Sequence, residues 1–287
     1  MFKQQIGSIH ARFDIAEAKK TFGRLDSPLA LSGEFITSPF DLFSVESLRD
    51  SLMLRAGDGV PVDVFVFGKG EPLDPRCTKV GGKPYWPVGK PWPRDNNGTP
   101  LLFVAQFCFA DSLDVFDREL PGTILSLLTA RADAWMWPDG DLRFHWHTGD
   151  EPNAELNGIL SATGDAGPFF GSIYRTCDYP AAIELALDQE VPRSYLLAAL
   201  EGTKMGGVPR FIQQEFSVKP NHLCQLGSIQ AHPNVPYPWV NQSDPLGLSF
   251  NEKGIYGDQN CAVLGDMGSV YMELGSDGNV TRSFECY

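Results

Sequence analysis

Two histidines and two carboxylates form a compact set of residues that could do chemistry. His145 and His147 are two positions apart in a predicted strand, and Asp150 and Glu151 follow within four residues. Imidazole and carboxylate groups at this spacing can bind a metal ion. Arg143 is predicted to share the same strand face and would repel a cation. A polar strand face is therefore the favoured interpretation, and no metal site is predicted.

Two paired glycines, each preceded by a lysine, form a second candidate site. Lys79 stands before Gly81-Gly82, and Lys204 stands before Gly206-Gly207. A turn that exposes consecutive amide groups beside a lysine can bind an anion. The phosphate-loop pattern GxxxxGK[ST] is absent from the chain. The alternative to an anion site is a structural turn whose lysine forms a salt bridge.

The segment from Pro84 to Pro93, here called the aromatic strip, could form a binding platform. It carries Tyr85, Trp86 and Trp92 among four prolines, which keep the backbone extended and stiff. A rigid platform loses little entropy on binding a sugar or a peptide. Packing inside the protein is the favoured alternative. The predicted ligand-binding residues, which would line a cleft between the two repeats described below, are Lys79, Gly81, Gly82, Trp86, Trp92, Lys204, Gly206, Gly207 and Phe211.

Motifs for common enzyme chemistry are missing from the sequence. There is no GxSxG, no HExxH and no GxGxxG. No catalytic residue and no cofactor are therefore predicted, and a non-enzymatic function is favoured.

The negative charge of the chain is concentrated in its middle third. The formal net charge is −13, and residues 111–200 hold 15 acidic and only 5 basic residues. Nucleic-acid binding needs the opposite sign, whereas a basic protein would be attracted. The alternative is that the acidity only keeps the protein in solution. The predicted partner-binding residues, all in predicted turns, are Asp139, Asp141, Asp150, Glu151 and Glu155.

The elements that would position these residues form an α+β fold dominated by antiparallel sheet. Periodicity and capping predict helices at 13–22, 44–55, 181–190 and 192–200. Short apolar runs predict strands at 60–67, 101–109, 122–129 and 142–147, with a closing hairpin at 269–287.

The glycine corners belong to an internal repeat. Six of the nine residues from Thr78 recur in identity or class from Thr203, an offset of 125 residues. A short strand carrying Gln106 or Gln225 follows each copy. We therefore predict an N-terminal extension at 1–60 packed on a duplicated domain at 60–287. Within that domain the first repeat spans 76–150, a helical and acidic connector spans 151–200, and the second repeat spans 201–287.

The pattern as a whole resembles a known family. The TKxGGxPxW segment followed by Trp-Pro, a strand ending in Ala-Gln, and the later TKxGGxP are similar to the YwqG-like family, also called DUF1963, over Val60 to Tyr287. The terminal segment carries Phe284-Glu285-Cys286, where that family usually has Trp-x-Cys. The resemblance implies a duplicated α+β fold without established catalytic residues. It also implies a protein-binding inhibitor, because the family is associated with bacterial toxin–immunity loci.

The leading hypothesis is a cytoplasmic immunity-type protein that neutralises a basic toxin domain through its acidic surface. The cytoplasmic location is predicted because the sequence has neither a signal-like apolar segment nor a membrane-spanning run. The alternatives are a small-molecule or peptide binder that uses the cleft between the repeats and, third, a hydrolase or metalloenzyme.

Overall fold

The computed structural model describes most of the chain. The described parts are residues 2–3, 7–16, 54, 56–131, 142–156, 158–159, 161–163, 167–182, 198–214, 217–230, 238–241, 244–250, 261–266 and 268–287. No helix within these ranges is long and apolar enough to cross a membrane.

The regular elements of these ranges are sixteen strands and two short 3-10 turns. The 3-10 turns span Ala56–Asp58 and Leu113–Val115. The strands are β1 Phe2–Lys3, β2 Arg12–Phe13, β3 Val60–Lys69, β4 Lys79–Val80, β5 Leu102–Cys108, β6 Ile124–Thr129, β7 Arg143–His147, β8 Phe169–Asp178, β9 Lys204–Gly206, β10 His222–Gly227, β11 Ile229–Gln230, β12 Pro238–Asn241, β13 Asp244–Phe250, β14 Cys261–Ala262, β15 Ser269–Leu274 and β16 Val280–Glu285.

The predicted α+β class is wrong. In the part of the chain that the structure describes, regular structure is nearly all strand, whereas the sequence predicted four helices. Phe13, where one predicted helix begins, lies in β2, which pairs with β1 and β8. Pairing with a sheet overrides helical periodicity at this first position. Residues 15 and 16 are helical, and residues 17–22 lie outside the described residues. The helices predicted at 44–55, 181–190 and 192–200 fall almost entirely outside the described residues.

The main sheet has a symmetric strand order. Ten strands run β16-β15-β10-β9-β3-β8-β4-β5-β6-β7, and each is antiparallel to its neighbours. The long strands β3 and β8 lie at the centre. The strand of the first glycine corner, β4, borders β8, and the strand of the second corner, β9, borders β3. The strand that precedes the first repeat, β3, therefore pairs with the corner strand of the second repeat. The strand that precedes the second repeat, β8, pairs with the corner strand of the first.

The two central strands pair over ten residues, from Val60 opposite Asp178 to Lys69 opposite Phe169. The apolar run that predicted β3 is buried from Val62 onwards, because sheet neighbours and core side chains cover it. Phe65 and Phe67 are essentially inaccessible to solvent. Burial of such a side chain contributes about 1.5–3 kcal/mol to folding.

One apolar core joins the two halves of the sheet. It includes Phe107 and Leu125 from β5 and β6, and Leu223 and Met272 from β10 and β15, with Phe65 between them. The glycine corners therefore lie on one continuous body. The domain boundaries given by the sequence stay a prediction.

Candidate functional site

The first glycine corner, around Gly81-Gly82, is closed by a buried lysine. Nζ of Lys79 donates to the carbonyl oxygen of Lys83 at 2.6 Å and lies 3.4 Å from Oε2 of Glu71. The other carboxylate oxygen of Glu71 accepts the amide of Lys83 at 2.7 Å. Both glycines have positive φ, 70° and 72°, a conformation that glycine adopts without steric strain. Burial lowers the pKa of Lys79, and the charge of Glu71 opposes that shift.

The second glycine corner, around Gly206-Gly207, is closed in the same way. Nζ of Lys204 donates to the carbonyl oxygen of Val208 and lies 2.9 Å from Oδ2 of Asp178. That carboxylate oxygen also accepts the amide of Val208 at 2.8 Å. The two glycines have φ of 69° and 66°. A lysine ammonium, a backbone carbonyl, a carboxylate and a backbone amide thus make the same contacts at both corners. At the second corner both members of the ion pair, Lys204 and Asp178, are fully buried.

A glutamine supports each corner from the neighbouring strand. Oε1 of Gln106 accepts the amide of Tyr85 at 2.8 Å, and Oε1 of Gln225 accepts the amide of Arg210 at 3.0 Å. The amide nitrogen of each glutamine donates to backbone carbonyls of the chain that enters its corner. The glutamine strands recognised in the sequence therefore fasten the segment that leaves each corner to the segment that enters it.

The aromatic residues predicted to bind a ligand lie mostly inside the protein. Trp86 is fully buried, and its ring centroid lies 4.6 Å from that of Trp92 and 4.5 Å from that of His147. Phe211 is buried against Tyr271 at 4.8 Å. The lysines of both corners donate to acceptors of the chain itself. A ligand role for these residues, in a cleft between the repeats, stays a prediction.

The two candidate metal-binding histidines lie on one face of β7, next to Trp86. Nζ of Lys90 donates to Nδ1 of His147 at 3.1 Å. Burial, with the nearby Lys90 charge, lowers the pKa of His147 to about 4, so the ring is neutral at pH 7. Among the described residues, no group of three or more His, Cys, Asp or Glu side chains is placed to hold a metal ion.

The segment at residues 149–156, here called the acidic loop, is fastened to the aromatic strip. Oδ1 of Asn153 accepts the amide of Trp86 at 2.9 Å, and the carbonyl of Trp86 accepts the amide of Ala154 at 2.7 Å. The amide of Val88 donates to the carbonyl of Pro152 at 3.0 Å. The stiff strip thus holds the loop in one position.

The three described carboxylates of the predicted partner-binding set lie exposed on the acidic loop. The side chains of Asp150 and Glu155 make no hydrogen bond or ion pair within the described residues, and Glu151 accepts only the hydroxyl of Thr148, at 2.8 Å. That hydrogen bond lowers the pKa of Glu151. All three carboxylates face solvent, where a cation can reach them. The other two residues of the set, Asp139 and Asp141, lie outside the described residues.

A groove of about 500 Å³ separates the acidic loop from the turn at Leu73–Arg76. Tyr85, whose hydroxyl donates to the carbonyl of Glu151 at 2.7 Å, also lines it. Two hydrogen bonds of 2.9 and 2.6 Å join the guanidinium of Arg76 to both carboxylate oxygens of Asp74. Burial raises the pKa of Asp74, but these bonds outweigh burial and leave it below its usual value.

The comparison with protein families decides where this chain belongs. The model of a domain of unknown function, DUF1963, matches residues 78–243. This chain is a member of the DUF1963 family. The family resemblance drawn from the glycine corners is confirmed, over a shorter range than Val60 to Tyr287, and the YwqG-like name stays a resemblance. No curated protein matches the chain.

The DUF1963 match contains both glycine corners and the acidic loop, whereas the Leu73–Arg76 wall of the groove precedes it. The sequence predicted the acidic loop as a binding surface but did not predict this wall. A signal was present, because Asp74 and Arg76 flank a proline, and Asp at the start of such a segment favours a turn. The amide of Arg76 donates to Oδ1 of Asp74 at 2.9 Å, which is this type of turn.

A second polar cluster that the sequence did not reveal fixes the N-terminal segment to the DUF1963 domain. Oδ2 of Asp111 accepts the amides of Ile9 and His10 and lies 3.0 Å from Nδ1 of His10. Nε2 of His10 accepts the amide of Thr78 at 2.9 Å. His10 is fully buried, so it acts as an anchor beside the first corner. Nothing in the spacing of these residues predicts their contact.

Proposed function

We propose that this DUF1963 protein is a non-enzymatic binding protein that holds a basic protein partner against its acidic loop. One observation carries the proposal. Asp150, Glu151 and Glu155 present carboxylates without a cationic partner in the described chain, on a loop that hydrogen bonds fix to a stiff strip. A charged surface that is already ordered loses little entropy when its partner binds.

The charge of the chain supports a basic partner. Residues 111–200 hold 15 acidic and 5 basic residues, so the field of this region attracts cations over several ångströms. Complementary charge mainly raises the association rate and excludes partners of the wrong sign. The same field disfavours nucleic acid.

The immunity-type role follows from the resemblance together with this surface. A toxin domain that acts on nucleic acid carries lysines and arginines where it holds phosphate. Carboxylates on a rigid loop can occupy that surface and block it. We therefore favour a basic toxin domain as the partner over other basic proteins.

The proposal is tested by capture with the intact chain as bait, followed by identification and purification of the bound protein. Charge reversal of Asp150, Glu151 and Glu155 to lysine should abolish capture of a basic protein. A matched variant reverses three exposed carboxylates elsewhere, at positions 117, 119 and 266. The matched variant should retain the partner. Capture that survives reversal of the acidic loop would overturn the proposal.

A further inference from the structure

The groove beside the acidic loop combines an apolar wall with charged groups. Its two walls are the Leu73–Arg76 turn and the Gly149–Asn153 segment, and its volume is about 500 Å³. Leu73 lines it with 60% of its surface exposed, so the groove has an apolar patch on one wall. A rigid cavity with an apolar wall is a binding feature in its own right, independent of charge.

The charged groups lie on both walls of this groove. Asp150 and Glu151 belong to one wall and Asp74 to the other, against a single lining cation, Arg76. Arg76 is already bound to both oxygens of Asp74. The groove is therefore net negative, with two carboxylates that no lysine or arginine of the described chain meets.

An apolar wall combined with anionic groups fits a long cationic side chain. Lysine and arginine carry an aliphatic stem that packs on apolar surface and a charged head that needs hydrogen-bond acceptors. Leu73 and the edge of Tyr85 suit the stem, and Asp150 and Glu151 suit the head. A wholly polar ligand would leave Leu73 exposed.

We propose that the groove is a socket for one arginine side chain of the protein partner. This inference rests on the proposed function, since the arginine belongs to the basic protein that the acidic loop holds. Arginine is favoured over lysine because its planar guanidinium donates in several directions and can meet the carboxylates of Asp150 and Glu151 at once. The bidentate pair of Arg76 with Asp74 shows this geometry on one wall. Arginine in a pocket is also a common source of binding energy in interfaces.

The test uses the full-length protein and three short capped peptides that differ at one position. The peptides carry arginine, lysine or citrulline, the last being a neutral analogue of arginine. Binding is followed by NMR titration of the isotopically labelled protein. The arginine peptide should shift signals of Leu73, Tyr85 and Gly149, with weak affinity. The lysine peptide should bind on the order of three- to tenfold more weakly, and the citrulline peptide should leave these signals unmoved.

Two variants separate the groove from the general negative field. Leu73→Ala removes the apolar wall without changing charge and should raise the dissociation constant on the order of three- to tenfold. Val218→Ala shortens an equally exposed apolar side chain elsewhere and should have no effect. Equal binding of the arginine and citrulline peptides would overturn the socket. So would equal binding by the Leu73→Ala and Val218→Ala variants.

The socket and the proposed function fail in different ways. If reversing the acidic loop abolishes partner capture but Leu73→Ala leaves peptide binding unchanged, the binding function stands and the socket is wrong. If the arginine peptide binds in the groove but reversing the acidic loop leaves capture intact, the proposed function is wrong. The socket, as a feature of the basic partner's binding site, then falls with it.

Discussion

The ammonium nitrogen of Lys204 lies 2.9 Å from Oδ2 of Asp178, and neither side chain reaches solvent. The equivalent pair at the first corner, Lys79 with Glu71, is looser at 3.4 Å, and 38% of the Glu71 side chain is exposed. The two corners thus use the same contacts at different depths. This difference makes each corner a control for the other.

Breaking the Lys204–Asp178 pair should cost far more than breaking the Lys79–Glu71 pair, whose carboxylate is partly exposed. Asp178→Asn leaves the charge of Lys204 without compensation inside the protein, and we expect a loss of about 3–5 kcal/mol in the free energy of unfolding. Glu71→Gln should cost about 1 kcal/mol or less, because water reaches that carboxylate. Urea unfolding of both variants measures the difference. Equal losses would show that burial does not set the strength of these pairs.

The paired glycines should tolerate substitution only where space allows. A Cβ at Gly207 would meet the carboxylate of Asp178 and the side chain of Val62, whereas a Cβ at Gly98 would meet nothing within 4 Å. Both residues have positive φ, 66° and 82°. Gly98→Ala should cost about 1–2 kcal/mol from backbone strain alone. Gly207→Ala should cost roughly 3 kcal/mol or more, because overpacking adds to that strain.

Thermal and urea unfolding of the two glycine variants compare these costs. If Gly207→Ala and Gly98→Ala destabilise the protein equally, the close packing around the second corner is not what requires glycine there.

Acid should destabilise the protein through buried neutral histidines. His147 has a folded pKa of about 4 against an ordinary value of 6.5, because burial and Lys90 disfavour its charged form. Burial likewise places the pKa of His222 well below 6.5. The unfolded chain therefore binds more protons than the folded one, and stability falls as the pH drops from about 6.5 towards 4. His147 accounts for up to roughly 3 kcal/mol of this loss.

The pH dependence is measured by urea unfolding at several pH values between 7 and about 4. His147→Gln keeps a neutral hydrogen-bonding side chain and removes the titration, so its stability should change less with pH than that of the parent protein. Identical pH slopes for parent and variant would show that His147 is not held neutral by the fold.

The sequence predicted the local features of this protein better than its global pairing. Paired glycines predicted turns at both corners, and alternation along β7 predicted that His145 and His147 share one strand face. β8 was missed, because its residues 169–178 mix Gly171 and polar groups with apolar ones. Its burial depends on pairing with β3, more than a hundred residues earlier.

The buried charges were also beyond the reach of sequence patterns. Asp63 alternates with valines in β3 and reads as a solvent-facing residue, yet it is fully buried. Two hydrogen bonds from Arg175 on β8 satisfy its carboxylate. Such a partner becomes evident only when the register of the two strands is known, and no local signal supplies that register.

The anchor at His10 should be required for a stable N-terminal segment. His10→Ala removes a buried ring that bonds to both Asp111 and the amide of Thr78, and we expect a loss of about 2–4 kcal/mol. Asp111→Asn keeps an acceptor oxygen and should cost less. Limited proteolysis should cleave the His10→Ala variant near its N-terminus faster than the parent. Unchanged cleavage would mean that other contacts hold the segment.

The central claim is that the acidic loop receives a basic protein, and the association rate with the captured partner tests it most directly. The rate is measured at ionic strengths below and above about 0.1 M, where the Debye length is about 10 Å. We expect the parent rate to fall steeply with salt. Reversal of Asp150, Glu151 and Glu155 to lysine should slow association about tenfold or more at low salt and flatten the salt dependence. A parent-like rate and salt dependence in that variant would contradict the account.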